Sequence, residues 1–199
     1  MADLIFYCGA MGCGKTANAL MTKFNYEQKG IGVWLIKPAI DDRSGADQVG
    51  SRIGLKDTAC VIGGYDSVTD AFVKDALMNV INLGLVVVDE AQFFSEEQIN
   101  ELRDISYRYD IPVKCYGLRT DSATKLFPGA KRLMEIADNV VMLDSVCSCG
   151  KHAIVNARIE NGKVVAPSGQ VEIGGDDKYK AMCYGCWRKA LKAAEDRDY

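Results

Sequence analysis

Short apolar runs and longer amphipathic stretches alternate along the first 143 residues of the chain. The apolar runs predict β-strands at residues 4–7, 32–36, 60–62, 84–88, 111–116 and 139–143. Apolar positions one helical turn apart predict helices at residues 17–29, 66–82, 96–109 and 128–137. Because continuously apolar strands alternate with helices, we expect an α/β fold whose mostly parallel sheet is covered by helices on both faces.

Local signals refine three places in this pattern. Ser95 and Gln98 form a capping box, which predicts that a helix begins at residue 96. The proline in Lys37-Pro38 predicts that the chain leaves regular structure there. Residues 44–56 are polar and contain glycines without a clear period, so we expect an irregular, mobile segment.

The character of the chain changes after residue 143. Residues 152–159 alternate weakly between apolar and polar and predict a strand, and Asn161-Gly162 predicts a hairpin that returns through residues 163–165. A polar, Gly-rich loop at residues 167–178 and a final helix at residues 186–195 follow. We therefore expect two domains, residues 1–143 and a smaller one formed by residues 144–199.

The first predicted strand leads into a phosphate-binding loop. The motif G-x-x-x-x-G-K-[ST] is matched by Gly9-Ala10-Met11-Gly12-Cys13-Gly14-Lys15-Thr16. Glycines let backbone N–H groups turn toward phosphate oxygens, and the helix that follows directs its positive end to the same place. We expect Lys15 to reach the β- and γ-phosphates of a nucleotide and the Thr16 hydroxyl to bind Mg²⁺.

A second motif completes the nucleotide site. The strand at residues 84–88 ends in Asp89-Glu90, the Walker B arrangement. Asp89 is expected to hold Mg²⁺ beside Thr16. Glu90, one residue further on, faces the space beyond the γ-phosphate and is placed to accept a proton from an attacking hydroxyl or water.

Composition narrows the classes of partner. The net charge of −3 and the pI near 5.3 argue against a surface built for nucleic acid or anionic lipid. No apolar run approaches the ~18 residues that a bilayer span needs. The first residues lack the basic and apolar segments of a secretory signal, so we expect a cytoplasmic protein.

The eight cysteines need an explanation other than disulfides in such a compartment. Four are scattered and are expected to be small buried hydrophobes, namely Cys8, Cys13, Cys60 and Cys115. The other four form two close pairs and suit tetrahedral Zn²⁺, namely Cys147, Cys149, Cys183 and Cys186. The first pair is spaced C-x-C, tighter than the common C-x₂-C, so the nearby His152 is an alternative ligand.

Together these motifs resemble the type II thymidine kinases over almost the whole chain. The resemblance rests on Met11, Lys37-Pro38-Ala39, Asp42-Arg43, Asp89-Glu90-Ala91-Gln92-Phe93-Phe94, Tyr116-Gly117-Leu118-Arg119-Thr120-Asp121, the two cysteine pairs, Ile173-Gly174-Gly175 and Tyr179. It implies a P-loop, RecA-like domain with a C-terminal zinc-binding ribbon and lasso domain. It also implies transfer of the γ-phosphate of ATP to the 5′-hydroxyl of thymidine, with Mg²⁺.

The resemblance further implies roles for individual residues. Glu90 matches the general base, and Arg43, Asp89 and Gln92 join the phosphate loop in binding ATP. The thymine pocket is expected to be closed by a lasso hung from the zinc site. The residues implied to contact the nucleoside are Met11, Phe93, Leu118, Phe127, Val171, Glu172, Ile173, Gly174, Gly175 and Tyr179. A homotetramer and feedback inhibition by dTTP are also implied.

Two positions depart from the family pattern. Cys13 replaces a serine in the phosphate loop, where the backbone matters more than the side chain. Ser122 stands where the pattern Gly-Leu-x-x-Asp-Phe has an aromatic residue that packs against the base. We expect either that another aromatic residue such as Phe127 fills the space, or that nucleoside binding is weakened by the ~1–3 kcal/mol typical of base stacking.

Two other functions fit parts of the pattern. A nucleic-acid-dependent ATPase with a zinc ribbon would use the same two nucleotide motifs, with Glu90 activating water. The acidic pI and the scarcity of basic residues around the cysteine pairs, apart from Lys178 and Lys180, argue against it. A regulatory nucleotide-binding module with a zinc dimerisation element would leave Glu90 without a purpose.

Overall fold

The computed structural model describes residues 1–166 and 178–195. In chain order, the strands of these residues are β1 (Leu4–Cys8), β2 (Gly32–Pro38), β3 (Gln48–Gly50), β4 (Lys56–Thr58), β5 (Cys60–Ile62), β6 (Leu83–Val88), β7 (Val113–Gly117), β8 (Asn139–Met142), β9 (Val155–Glu160), β10 (Lys163–Val164) and β11 (Tyr179–Met182). The α-helices are α1 (Lys15–Glu27), α2 (Val68–Ala71), α3 (Leu77–Asn79), α4 (Glu96–Tyr109), α5 (Pro128–Ile136) and α6 (Tyr184–Glu195). A π-helical turn, Phe72–Ala76, joins α2 to α3.

Six of these strands form one parallel sheet in the order β5-β2-β6-β7-β1-β8. The strand predictions and the parallel sheet are therefore confirmed. All carboxyl ends of a parallel sheet meet at one edge, which is where ligands bind in open α/β folds. The phosphate loop follows β1, and Asp89 follows β6 at that edge.

Helices cover both faces of the sheet, as predicted. Alternate side chains of β2 show the division, because Val33 and Leu35 pack with α1, whereas Trp34 and Ile36 belong to the opposite layer. That second layer contains buried residues of α2, α4 and α5. The capping box at the start of α4 is present, with Ser95 accepting from the backbone of Gln98. Among the described helices, none combines the length and apolar character needed to cross a bilayer.

The expectation of an irregular segment at residues 44–56 was wrong. Strands β3 and β4 form an antiparallel hairpin there. Val49, only 1% exposed, packs in the layer of α1. Lys37 is fully buried and its ammonium donates to the carbonyls of Gly45, at 3.0 Å, and Gln48, at 2.8 Å. Since one buried apolar residue and two lysines outside the hairpin, Lys23 and Lys37, hold it in place, its sequence carries almost no periodic signal.

The chain leaves regular structure at the proline, as predicted. Strand β2 continues to Pro38, which pairs with Ile62 of β5. The next residue, Ala39, donates its N–H to the carbonyl of Ile62 at 2.8 Å, so the missing proline N–H leaves this end of the ladder intact.

The four scattered cysteines were all expected to be buried. Cys8 and Cys115 are buried, whereas Cys13 and Cys60 are partly exposed.

The C-terminal region forms a small antiparallel sheet in the order β10-β9-β11. The predicted turn between β9 and β10 is confirmed, since Asn161 and Gly162 both adopt positive φ, at 51° and 75°. Its own buried cluster includes Val155, Trp187 and the phosphate-loop residue Ala10. The small sheet therefore packs directly against the nucleotide motif.

Candidate active site

Glycine geometry shapes the phosphate loop. Gly12 and Gly14 have φ of 77° and 79°, a region that disfavours side chains. Gly9 is needed for a different reason, because a methyl group there would lie 2.6 Å from the Cys13 Sγ and 2.8 Å from a backbone oxygen of residue 143. The Lys15 ammonium folds over the loop and donates to the carbonyl of Ala10 at 3.0 Å. The loop thus brings its backbone and its lysine to one small space.

Thr16 and Asp89 lie together beside this loop. The Thr16 hydroxyl is 3.1 Å from one carboxylate oxygen of Asp89 and 3.3 Å from the other. Burial raises the pKa of Asp89 to about 7, and the neighbouring Glu90 acts in the same direction. Oxygen ligands from a hydroxyl and a carboxylate are those that Mg²⁺ prefers, and a bound dication would stabilise the ionised form of Asp89. The pair therefore fits a magnesium site.

Glu90 is held in one orientation by two donors. Its backbone is left-handed, with φ of 49°, which is unusual for a residue with a side chain. One carboxylate oxygen accepts a hydrogen bond from Arg43, and the other accepts one from Gln92 Nε2 at 2.6 Å. The Glu90 residue is 7% exposed, so few of its atoms reach solvent. A residue whose backbone is strained and whose side chain is held by two hydrogen bonds is typical of a functional position.

Arg43 lies between two carboxylates. Its Nε donates to Asp41 at 2.5 Å, and its Nη2 donates to Glu90. Burial alone would lower the pKa of Arg43, but the charges of Glu90 and Asp41 outweigh it and raise the pKa, so the guanidinium stays charged. The arginine predicted to contact phosphates is therefore engaged with the carboxylates of the site.

Gln92 connects Glu90 to the end of strand β7. Its Oε1 accepts the N–H of Leu118 at 2.8 Å, while its Nε2 donates to Glu90. The residue is 1% exposed and leaves the backbone at Gly117 no room for a side chain, since a methyl group there would lie 2.6 Å from Oε1. Gln92 lines the same cavity as the phosphate loop.

A single cavity of about 460 Å³ contains most of the predicted site residues. Its phosphate side is lined by Gly12, Gly14, Lys15, Thr16, Arg43, Asp89 and Glu90. Its apolar side is lined by Met11, Phe93, Leu118, Phe127 and Tyr179. The implied contacts at Val171, Glu172, Ile173, Gly174 and Gly175 lie outside the described residues. The two sides match a phosphate group and an apolar ring.

Ser122 also lines this cavity. Phe127 is 7% exposed and stands edge-on to Phe93, with ring centroids 5.6 Å apart and an interplanar angle of 75°. The loop that bears Ser122 is tied down by Asp121, whose carboxylate accepts from the backbone of Ala123 at 2.9 Å. An aromatic wall is thus present on the Phe127 side, while position 122 presents only a hydroxymethyl group.

One buried residue that the sequence did not single out joins three parts of the site. Asn156 of β9 accepts the N–H of Met11 at 2.7 Å and donates to the carbonyl of Thr120 at 3.2 Å. It is 3% exposed and lines the cavity. In the sequence, an asparagine in a weakly alternating strand suggests a side chain that faces solvent. Only the burial of Asn156 in the structure reveals that it links Met11 to Thr120.

The four paired cysteines form a cluster. The sulfur atoms of Cys147, Cys149, Cys183 and Cys186 all lie within 4.8 Å of one another. Tetrahedral zinc with Zn–S bonds of about 2.3 Å requires sulfurs about 3.8 Å apart, and two of these sulfurs are 3.7 Å apart. Backbone N–H groups lower the pKa of Cys147 to about 6, which favours the thiolate that binds metal. These four cysteines could hold a zinc ion. The cluster does not include His152, whose Nδ1 lies 3.3 Å from Asp144.

Comparisons with known proteins agree with this geometry. The family model described as thymidine kinase matches residues 2–187. A thymidine kinase from Enterobacteria phage T4 is 42% identical over 193 residues, covering 96% of this chain and 98% of the relative. Thymidine kinases from Shewanella oneidensis and Novosphingobium aromaticivorans are each 40% identical, covering 96% of this chain and 99% of the relative. The chain belongs to the thymidine kinase family.

Proposed function

We propose that this protein transfers the γ-phosphate of ATP to the 5′-hydroxyl of thymidine, giving dTMP and ADP. The observation that carries the proposal is the placement of Glu90. Its carboxylate, held by Arg43 and Gln92, lines the same cavity as the phosphate loop and a set of apolar side chains. A nucleoside whose base lies on the apolar wall would bring its sugar hydroxyl between Glu90 and the phosphates.

Each residue then has a defined task. Glu90 accepts the proton of the 5′-hydroxyl as that oxygen bonds to the γ-phosphorus, while the bond between the γ-phosphorus and the β,γ-bridging oxygen breaks and ADP leaves. Lys15 and backbone N–H groups of the phosphate loop bind the phosphate oxygens, except for the Met11 N–H, which donates to Asn156 at 2.7 Å. The loop consists of Lys15 and of Gly9, Ala10, Met11, Gly12, Cys13, Gly14 and Thr16. Mg²⁺, held by Thr16 and Asp89, would neutralise charge on the phosphates. Gln92 and Arg43 keep the Glu90 carboxylate aimed at the hydroxyl, and both border the phosphate side of the cavity.

The nucleoside pocket extends this proposal. Met11, Phe93, Leu118, Phe127 and Tyr179 bind the base and sugar, and their place in the cavity supports this role. We assign backbone contacts with thymine to Val171, Glu172, Ile173, Gly174 and Gly175, whose motif resembles that of the family. Residues 144–199 form the zinc and lasso domain beside the kinase domain of residues 1–143, which the separate buried cluster around Trp187 supports.

Three further properties belong to the same proposal. We propose that the protein acts in the cytoplasm as a homotetramer. We also propose that dTTP inhibits it by occupying both sides of the cavity. The last idea has a chemical basis, because a nucleoside triphosphate joins the two groups that the cavity separates, a pyrimidine and a triphosphate. The rate of dTMP formation by the wild-type enzyme, measured at several dTTP concentrations, would test this inhibition.

The test of the reaction is ADP release from ATP and Mg²⁺ with thymidine, other deoxynucleosides, single-stranded DNA or buffer alone. We expect stimulation by thymidine with equal formation of dTMP. Glu90→Gln should retain ATP and thymidine binding but lower turnover by about 10²–10⁴-fold, since general-base catalysis contributes that much. Glu135→Gln is the matched control, because that acid is on α5 and pairs with Arg132.

Two results would contradict the proposal. Stimulation by DNA without a nucleoside product would indicate an ATPase that depends on nucleic acid. Near wild-type turnover in Glu90→Gln would remove Glu90 from proton transfer, even if thymidine proved to be the substrate.

A further inference from the structure

The β3–β4 hairpin carries an arginine to the phosphate loop. A methyl group on Gly12 would lie 3.7 Å from Nη1 of Arg52, so the guanidinium lies next to this loop residue. Arg52 lines the same cavity as Lys15 and Thr16. Its position was not expected from the sequence, because residues 44–56 showed no regular pattern.

The turn that bears Arg52 has a defined shape. The N–H of Ser51 donates to the carbonyl of Leu55 at 2.8 Å, and the Ser51 hydroxyl accepts the N–H of Leu55 at 3.0 Å. Gly54 closes the turn with φ of 91° and a hydrogen bond to the carbonyl of Ser51. The backbone therefore presents Arg52 in a fixed direction and does not leave it at the end of a loose loop.

The base of the hairpin is fastened at three points. Val49 is buried in the layer of α1, and Lys37 donates to two hairpin carbonyls. Lys23 of α1 donates to Asp57 at 2.6 Å. Because α1 begins in the phosphate loop, these contacts connect the hairpin to the helix that the loop precedes.

The charges around the phosphate loop show why a further cation matters. Arg43 already pairs with Asp41 and Glu90, so two carboxylates share its positive charge. Within the phosphate loop, residues 9–16, Lys15 is the one basic residue that would face a triphosphate. Arginine is suited to the remaining phosphate charge, because its planar fork donates two parallel hydrogen bonds to phosphate oxygens.

We propose that Arg52 is a phosphate-binding arginine of this enzyme, which the hairpin brings to the triphosphate of ATP. The identity of the ligand as ATP rests on the proposed function. Arg52 and Arg43 divide the work: Arg43 orients the Glu90 carboxylate, while Arg52 binds phosphate oxygens on the Gly12 side of the loop.

The test compares Arg52→Ala with Arg52→Lys in the full-length, zinc-loaded protein. Equilibrium binding of ATP, inorganic tripolyphosphate and thymidine is measured, together with KM and kcat for ATP. Leu55→Ala is the control for a general disturbance of the hairpin. The backbone of Leu55 closes the same turn, but its side chain is not part of the cavity lining. Arg108→Ala is the control for lost charge, because this exposed arginine pairs with Asp104 on α4.

Arg52→Ala should weaken ATP and tripolyphosphate binding by about 10- to 100-fold, as expected for a lost charge-assisted hydrogen bond, and leave thymidine binding unchanged. Arg52→Lys should recover part of the loss, and both controls should bind like the wild type. Unchanged ATP affinity in Arg52→Ala would overturn the proposal, as would an equal loss in Leu55→Ala. Since these measurements need no turnover, they stand even if thymidine is not the substrate.

Discussion

Replacing Gln92 by methionine tests whether the orientation of the general base is built into the fold. The side chain is 1% exposed and makes two hydrogen bonds, one to the Glu90 carboxylate at 2.6 Å and one from the N–H of Leu118 at 2.8 Å. Methionine has a similar length and fills the same space without either polar group. The substitution therefore removes both contacts and creates little or no cavity.

The hydrogen bonds set the expected size of the effect on stability. A hydrogen bond to a charged group contributes about 1.5–3 kcal/mol, and a buried N–H left without a partner costs about 1–3 kcal/mol. The free energy of unfolding of Gln92→Met should therefore fall by about 2.5–6 kcal/mol, with the lower end reached if water enters and binds the Leu118 N–H. Glu90 would keep Arg43 as a donor but lose the contact that fixes its other oxygen.

The effect on catalysis is separate from the effect on stability. A displacement of about 1 Å in a catalytic group can cost up to about 10²-fold, so kcat per folded molecule should fall by about 10–100-fold. The KM values for ATP and thymidine should change little, because Gln92 acts through Glu90. Steady-state kinetics at a temperature where the variant is folded, checked by circular dichroism, measures both.

Gln98→Met is the matched control. Gln98 is also buried, and its Nε2 donates to the carbonyls of Gly63 at 2.8 Å and Asp66 at 2.9 Å, none of which belongs to the cavity lining. This variant should lose stability without losing kcat per folded molecule. Wild-type kcat in Gln92→Met would refute the reasoning, and an equal fall in both variants would assign the effect to general loosening of the fold.

Two further substitutions test the nucleoside side. Ser122→Phe should tighten thymidine binding by about 1–3 kcal/mol through stacking and leave ATP binding unchanged. Ser122→Leu supplies volume without a π-face, and unchanged thymidine affinity in the Phe variant would mean that Phe127 already fills the space. Cys183→Ser should release zinc, measured by a colorimetric chelator, and weaken thymidine binding far more than ATP binding. Cys60→Ser, outside the cluster, is its control.

The nucleotide motifs and most of the fold could be predicted because their signals are local. A helix start is specified by Ser95 and Gln98 alone, and α4 spans Glu96–Tyr109 as the capping box predicts. The phosphate loop needs glycine at positions where φ is positive, as at Gly12 and Gly14, so the requirement is visible in the sequence itself. Continuous apolar runs identify the central strands because both faces of the sheet are covered.

The residues that were missed act across long stretches of chain. Lys37 is fully buried yet reads as a solvated charge, because its carbonyl acceptors are 8 and 11 residues away. Asn156 bonds to the phosphate loop across 145 residues. Gln92 lies in a motif that was noticed, but its link to Leu118 depends on β6 and β7 being neighbours in the sheet. Such roles follow from tertiary packing and leave no periodic trace.

The same long-range contacts explain why Cys183→Ser should weaken thymidine binding more than ATP binding. Strand β11, which contains Tyr179, leads into Cys183 and pairs with β9, which contains Asn156. Loosening the cluster should therefore disturb the nucleoside side through Tyr179 and through the Asn156 contact with Met11. The phosphate side should lose less, because Lys15 and Thr16 belong to α1, which packs on the sheet. Equal losses of thymidine and ATP affinity would contradict this division and would instead indicate unfolding of the whole chain.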